Sequence, residues 1–124
     1  HISAQNPDII FSDGVYNQSI LNGLRSSAIA YVHGHTVGGT NPSLIEVLAA
    51  RPGIIICHDN KYNHEVACRH AEYFSSEKQL SYLFARLPNQ LLNEKPTWSD
   101  QRFNPKTIAL QYLRLFESIT KQGK

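Results

Sequence analysis

Apolar residues occur along the chain in short continuous runs separated by stretches with helical spacing. The runs at 8–12 (DIIFS), 28–32 (AIAYV) and 53–57 (GIIIC) are rich in β-branched residues and are too short for helices, so each predicts a strand. The run at 53–57 is the most apolar and predicts a strand in the centre of a sheet. Residues 72–74 (EYF) predict a small outer strand.

Between these runs, apolar residues recur every three or four positions and predict helices. Asn-Pro steps at 41–42 and 104–105 supply a capping residue and a first helical residue, and Ser76 with Gln79 has the form of a capping box. The predicted helices cover 16–27, 42–50, 62–70, 76–87 and 104–122. Arg51 and Pro88 are each expected to end one of them, and 89–100 is expected to be irregular.

Alternation of strand and helix predicts parallel βαβ units. The fold class is therefore α/β, a small parallel-sheet, Rossmann-like, three-layer α/β/α domain formed by residues 1–124. Ligands of open sheets bind at the carboxyl ends of the strands. The segment 33–46 (HGHTVGGTNPSLIE) follows a predicted strand directly, so it lies at such an end.

Composition indicates which partners to expect and in which cellular compartment the protein works. The chain has 124 residues with 12 Lys and Arg against 10 Asp and Glu, a formal charge of +2. These basic residues are scattered and form no track for a phosphate backbone, so nucleic acid is not an expected partner. No run approaches the roughly 20 apolar residues of a membrane helix, and no secretory signal is visible, which predicts a cytoplasmic protein. His1 in place of Met suggests a piece of a longer protein.

Cysteine and histidine spacing predicts no metal site. Cys57 and Cys68 do not form a C-x-x-C motif, and both are expected to be buried, reduced thiols. His33 and His35 flank Gly34 without a further ligand at a recognised spacing, and hydrogen bonding to main chain is the alternative role for each. Sequence motifs for a dinucleotide site, a P-loop and a hydrolase elbow are also missing.

The glycine-containing loop suits an anion. Gly38 and Gly39 can adopt positive φ and allow another molecule to approach the main chain. The amides from Thr40 to Leu44 stand at a helix start, where unpaired N–H groups and the helix dipole favour a phosphate. The alternative is that the glycines only form a tight turn and Asn41 only caps the helix.

Other polar residues near the loop also have two interpretations. Glu46 lies one turn into the helix, where it is either a solvated surface charge or a carboxylate that accepts hydrogen bonds from two sugar hydroxyls. His33, His35 and Asp59 follow two predicted strands, so they face one crevice if those strands are neighbours. A phosphate loop followed by a sugar-binding carboxylate describes a nucleotide-sugar site.

The segment 31–74 closely resembles the end of the catalytic domain of retaining GT-B glycosyltransferases of family 4, the group 1 type. Its form is most similar to rhamnosyltransferases and related enzymes of bacterial envelope polysaccharide synthesis. The segments that carry the resemblance are 39–46 for the glycine loop and its glutamate, 51–55 for the following strand, 59–66 for the D-x-x-x-x-x-E-V segment, and 71–74 for its close.

This resemblance implies a nucleoside diphosphate sugar as ligand, with no cofactor and no metal. The family's first motif glutamate falls at Gly38, so its contact to the donor hexose is absent here. Amides near Gly39, Thr40 and Asn41 would meet the donor sugar and diphosphate, Ser43 and Leu44 would lie near the phosphate, and Glu46 would hold the ribose. The predicted donor-binding residues are Gly38, Gly39, Thr40, Asn41, Ser43, Leu44 and Glu46.

The resemblance also implies that a second lobe is missing from this chain. That lobe would bind a saccharide or lipid-linked acceptor, and the parent enzyme would work in the cytoplasm or at the inner face of the membrane. The helix 104–122 would cross to the missing lobe or mediate self-association, which predicts an exposed apolar patch. The chain alone is then inactive.

The alternative is a non-enzymatic receiver-like or partner-binding module with Asp59 or Asp13 as phosphate acceptor, although the acidic cluster of receivers is lacking.

Overall fold

The structure, a computed structural model, describes residues 6–90 and 101–122. Within these ranges the chain is an α/β protein whose strands and helices alternate, compatible with a Rossmann-like layout. The elements are α1 (Gln18–Ser27), β1 (Ala30–His33), α2 (Pro42–Ala50), β2 (Ile54–His58), α3 (Lys61–Ala67), β3 (Glu72–Phe74), α4 (Glu77–Gln90) and α5 (Pro105–Gln122), with single 3₁₀ turns at Cys68–His70 and Gln101–Phe103.

The three strands form a parallel sheet in the order β1-β2-β3. Ala30 pairs with Ile54 at one end of the β1–β2 ladder, and His58 pairs with Phe74 at the end of the β2–β3 ladder. The prediction of a central strand at 53–57 and an outer strand at 72–74 is confirmed. The carboxyl ends of β1 and β2 therefore lie side by side.

The predicted first strand at 8–12 is wrong. These residues form no ladder with any strand in the described part of the chain, and Ile10 and Phe11 are 88% and 69% exposed. A β-favouring run needs a neighbour to complete its backbone hydrogen bonds, and 8–12 has none there. The sheet of the described residues thus has three strands rather than four.

The predicted end of the fourth helix is also wrong, because α4 continues past Pro88 to Gln90. A proline removes one N–H donor, a loss that a helix tolerates better in its last turn than in its middle. The start of this helix agrees with the capping box, since the Gln79 amide donates to Ser76 Oγ at 3.3 Å. Of the segment predicted to be irregular, residues 91–100 lie outside the described residues.

The main core lies between the sheet and the pair α2 and α3. Helices α2 and α3 contact each other, and both pack against the side chains of β2 that point to this face. This side of the core consists of Leu44, Val47, Leu48, Ile55, Cys57, Val66 and Ala67, all at most 7% exposed. Burial at these positions follows the helical and strand periodicity of the sequence.

The other face of the sheet is covered less completely. Ile56 points away from the main core and is fully buried, and α4 contacts β3 and contributes the buried Leu83. Val32 on β1, which pairs with Ile56, is in contrast 38% exposed. This face therefore retains accessible apolar surface at its β1 edge.

Helix α2 begins and ends as its sequence predicts. Asn41 Oδ1 accepts a hydrogen bond from the Ser43 amide at 3.0 Å, and Pro42 occupies the first turn. At the other end Arg51 adopts a left-handed conformation with φ of 56° and donates its N–H to Val47 O. Both ends of the helix that follows the glycine loop are thus fixed locally.

Helix α5 carries large apolar side chains that stay exposed. Tyr112, Leu115, Phe116 and Ile119 share one face of the helix and are each between 52% and 59% exposed. The prediction of an exposed apolar patch on the last helix is confirmed. None of the helices within 6–90 and 101–122 has the length and apolar character needed to cross a membrane.

The two cysteines are free thiols in different surroundings. Cys57 is fully buried in β2, and burial raises the pKa of its thiol to about 12. Cys68 is exposed, so the prediction that it is buried is wrong. The reason is that α3 ends at Ala67, and Cys68 turns into the 3₁₀ segment with a positive φ of 49° instead of continuing the helix.

Candidate functional site

A cavity of about 130 Å³ lies where the chain passes from β1 to α2. It is at the carboxyl ends of β1 and β2, the edge at which parallel sheets bind ligands. Its lining consists of the glycine loop, the start of α2 and the start of α3. The lining residues are His35, Val37, Gly38, Gly39, Thr40, Asn41, Pro42, Asn60, Tyr62 and Asn63.

Two amides at the start of α2 are already bonded. The Ser43 amide donates to Asn41 Oδ1 at 3.0 Å, and the Leu44 amide donates to Asn41 O at 3.1 Å. The expectation that Ser43 and Leu44 offer unpaired amides to a phosphate is therefore wrong. The side chain that caps the helix and the first helical turn use these donors.

The amides that precede Ser43 in the loop differ in this respect. Within residues 6–90 and 101–122, no oxygen accepts a hydrogen bond from the amides of Gly39, Thr40 or Asn41. Gly38, which directly precedes these amides, has a φ of +124°, a conformation that strongly favours glycine. The loop thus presents three consecutive backbone donors next to the positive end of the α2 dipole.

Two asparagines tie the loop to the end of β2. Asn60 Nδ2 donates to His35 O at 2.9 Å, and Asn63 Nδ2 donates to the same oxygen at 3.1 Å and to His58 O at 2.9 Å. Sequence reasoning did not assign Asn63 a role. Only the structure shows that its polar side chain lies on the buried side of α3, where it is 4% exposed.

The two predicted histidines are stacked against each other beside the cavity. His35 lines the cavity, and its ring lies 4.6 Å from that of His33, measured between centroids. His33 is 1% exposed, and neither of its ring nitrogens has a hydrogen-bond partner in the described part of the chain. Burial, and secondarily the neighbouring His35, lower the pKa of His33. His33 is therefore a buried, neutral imidazole and not a residue hydrogen-bonded to main chain.

This burial gives a prediction for acid stability. Since the pKa of His33 is lowered in the folded protein, the unfolded chain takes up a proton first as the pH falls below the ordinary value of about 6.5. The free energy of unfolding should therefore decrease between pH 7.5 and pH 5. His33→Phe should reduce that decrease, and it should leave stability at pH 7.5 unchanged or higher because two unpaired nitrogens are removed. Urea unfolding at both pH values measures this, and an unchanged pH slope in the variant contradicts it.

Glu46 lies outside the cavity lining and is engaged by another helix. Its Oε2 is 2.7 Å from Nη2 of Arg25 on α1, and the two side chains are 46% and 13% exposed respectively. Neither sequence interpretation included this partner, because Arg25 is 21 positions away and no local pattern connects the two residues. The structure makes Glu46 a half-exposed ion-pair member about one turn beyond the cavity.

Asp59 also points elsewhere. Its two carboxylate oxygens contact His64 Nε2 at 2.7 Å and Ser75 Oγ at 3.1 Å, and it does not line the cavity. Hydrogen bonds from His64 and Ser75 are the main causes that hold the pKa of the Asp59 carboxyl below its usual range. The expectation that Asp59 shares a crevice with His33 and His35 is wrong. The arrangement joins the ends of β2, α3 and β3 instead.

Within the residues that the structure describes, no three His, Cys, Asp or Glu side chains are grouped to hold a metal ion. Comparisons of the chain with models of protein families, with curated proteins and with solved structures found no match. The cavity is therefore described by its own geometry alone.

Proposed function

We propose that this chain is the nucleotide-sugar-binding part of a retaining GT-B glycosyltransferase, a Rossmann-like lobe whose cavity takes the diphosphate of the donor. The observation that carries the proposal is the set of unpaired amides of Gly39, Thr40 and Asn41 in a cavity at the start of α2. The sequence resemblance of the same loop names the ligand class.

The donors of the loop fit an extended anion. Three consecutive N–H groups, together with the dipole of a nine-residue helix, favour negative charge at this position. At about 130 Å³ the cavity is smaller than the roughly 300–1,000 Å³ of pockets that enclose a whole small ligand. Only the diphosphate is enclosed, and the nucleoside and the sugar extend from it along the protein surface.

In this proposal Glu46 holds the nucleoside part. It lies four residues beyond Pro42 on α2, which is about 6 Å further along the helix. Arg25 binds Oε2, which fixes the orientation of the carboxylate, and the other oxygen accepts hydrogen bonds from the ribose hydroxyls. The proposal thus uses the ion pair to orient Glu46.

The parent enzyme would transfer the sugar to a saccharide or lipid-linked hydroxyl acceptor bound by a second lobe, in bacterial envelope polysaccharide synthesis on the cytoplasmic side of the membrane. The loop amides stabilise the charge that develops on the leaving diphosphate, an electrostatic contribution of the oxyanion-hole kind. The exposed stripe of α5 packs against that lobe. Without the second lobe, this chain binds the donor weakly and does not catalyse the transfer.

The receiver-like alternative is less well supported, because both carboxylate oxygens of Asp59 already accept or share hydrogen bonds with His64 and Ser75.

Titration calorimetry with UDP and dTDP tests the proposal. At least one of them should bind, and Glu46→Gln should weaken that binding about tenfold, the effect of losing a charge-assisted hydrogen bond of about 1.5 kcal/mol. Arg25→Met is the matched comparison, since it breaks the same ion pair but keeps the carboxylate. It removes only the contact that orients Glu46, so it should weaken binding less than Glu46→Gln does. If neither nucleotide binds at millimolar concentration, the chain is not a nucleotide-sugar lobe.

A further inference from the structure

Asn60 and Asn63 act on the same two carbonyl groups. Both side-chain amides donate to His35 O, at 2.9 and 3.1 Å, and both also contact His58 O, at 3.4 and 2.9 Å. His35 O belongs to the residue that begins the glycine loop, and His58 O belongs to the last residue of β2. The two asparagines, here called the asparagine clamp, therefore join the loop to the end of the neighbouring strand.

Asn60 does two separable things with one side chain. Its Oδ1 accepts hydrogen bonds from the amides of Tyr62 and Asn63, both at 3.0 Å, and so caps α3. Its Nδ2 points away from α3 and donates a hydrogen bond to His35 O, 25 positions earlier in the chain. A cap requires only the oxygen, so the amide nitrogen serves the loop.

The clamp completes the anchoring of the loop. Its α2 end is fixed by the Asn41 cap, and its β1 end is fixed at His35 by the clamp. Between these two anchors lie Gly38, with its positive φ, and the unpaired amides of Gly39 and Thr40. Side chains that hold a binding loop in one geometry lower the ordering cost of binding.

We infer that the asparagine clamp positions the loop amides for the diphosphate, and that Asn60 and Asn63 are positioning residues of the site. The inference rests on the proposed function for its ligand, but the effect of the clamp on the loop is independent of any ligand. The clamp bonds are made by amide N–H donors to backbone carbonyls. A side chain at position 60 that caps α3 without such a donor therefore removes one of the two bonds to His35 O and loosens the loop.

Asn60→Ser is the sharpest test. Serine caps a helix as well as asparagine does and adds no charge, but its hydroxyl is too short to reach His35 O. The variant should keep the urea midpoint of the wild type and bind UDP about tenfold more weakly. Asn17→Ser is the matched control, because Asn17 caps α1 through Oδ1 in the same way and lies far from the loop in the sequence. It should change neither quantity.

Backbone ¹⁵N relaxation without ligand separates positioning from direct contact with UDP. Order parameters of Gly38, Gly39 and Thr40 should fall in Asn60→Ser and remain unchanged in Asn17→Ser. If they are unchanged in Asn60→Ser, or if they fall while UDP affinity is unaltered, the inference is overturned. If the wild type binds neither UDP nor dTDP but Asn60→Ser still mobilises the loop, the clamp is supported and the proposed function is what fails.

Discussion

Gly39→Ala is expected to fold as stably as the wild type and to bind UDP about 30-fold more weakly. A Cβ built on Gly39 meets no atom within 4 Å, and its φ lies outside the positive region, so the fold accommodates alanine. Gly39 lines the cavity, however, and the methyl group keeps the diphosphate from its closest approach to the main chain. Losing charge-assisted hydrogen bonds worth about 2 kcal/mol corresponds to this factor.

The matched control is Gly34→Ala. Gly34 also has open space around a built Cβ, and it does not line the cavity. UDP titration calorimetry and urea unfolding on both variants measure the two quantities. A Gly39→Ala protein that is stable and binds UDP with the affinity of Gly34→Ala would show that the ligand does not approach this backbone.

Gly53→Ala is expected to lower the free energy of unfolding by about 2–3 kcal/mol. A Cβ on Gly53 would overlap the carbonyl oxygen of Ile29, which is itself the acceptor for the Ile54 amide at 2.9 Å. The Gly53 amide bonds Ala28 O at 2.9 Å, so the residue sits where β1 and β2 begin to pair. Overpacking here pushes two backbones apart, and backbone cannot rotate away as a side chain can.

Gly23→Ala provides the comparison within the same chain. Gly23 lies in the exposed part of α1, where a Cβ meets nothing within 4 Å. Alanine should stabilise the protein there by about 0.5–1 kcal/mol through helix propensity. Denaturant midpoints that move in opposite directions for the two variants support the account. Equal stability of Gly53→Ala and the wild type would contradict the close approach of Gly53 to the Ile29 carbonyl.

Local signals in the sequence were sufficient to predict the part of the fold that forms the cavity. The Asn41-Pro42 step predicted the start of α2, and the apolar run at 53–57 predicted the central strand. Both were predictable because a helix cap and a buried strand are each encoded by a few consecutive residues. Parallel pairing of β1 with β2 then followed from the alternation of elements. The position of the loop at the edge of the sheet was predictable for that reason.

Signals that depend on distant partners were misread. The run at 8–12 has strand propensity, but propensity does not supply a ladder partner, and the structure gives it none in the described residues. The ion pair of Glu46 was not predicted, because Arg25, its partner, belongs to a helix earlier in the chain. Asn63 looked like any polar helix residue, because the carbonyls it bonds are brought together only by folding.

Amide NMR titration with UDP, compared with uridine, tests most directly whether the loop amides bind a diphosphate. UDP should shift the amide resonances of Gly39, Thr40 and Asn41 more than those of the rest of the chain, and uridine at the same concentration should leave them in place. Resonances of these three amides that stay unchanged at millimolar UDP, or that move equally with uridine, would contradict diphosphate binding by the loop.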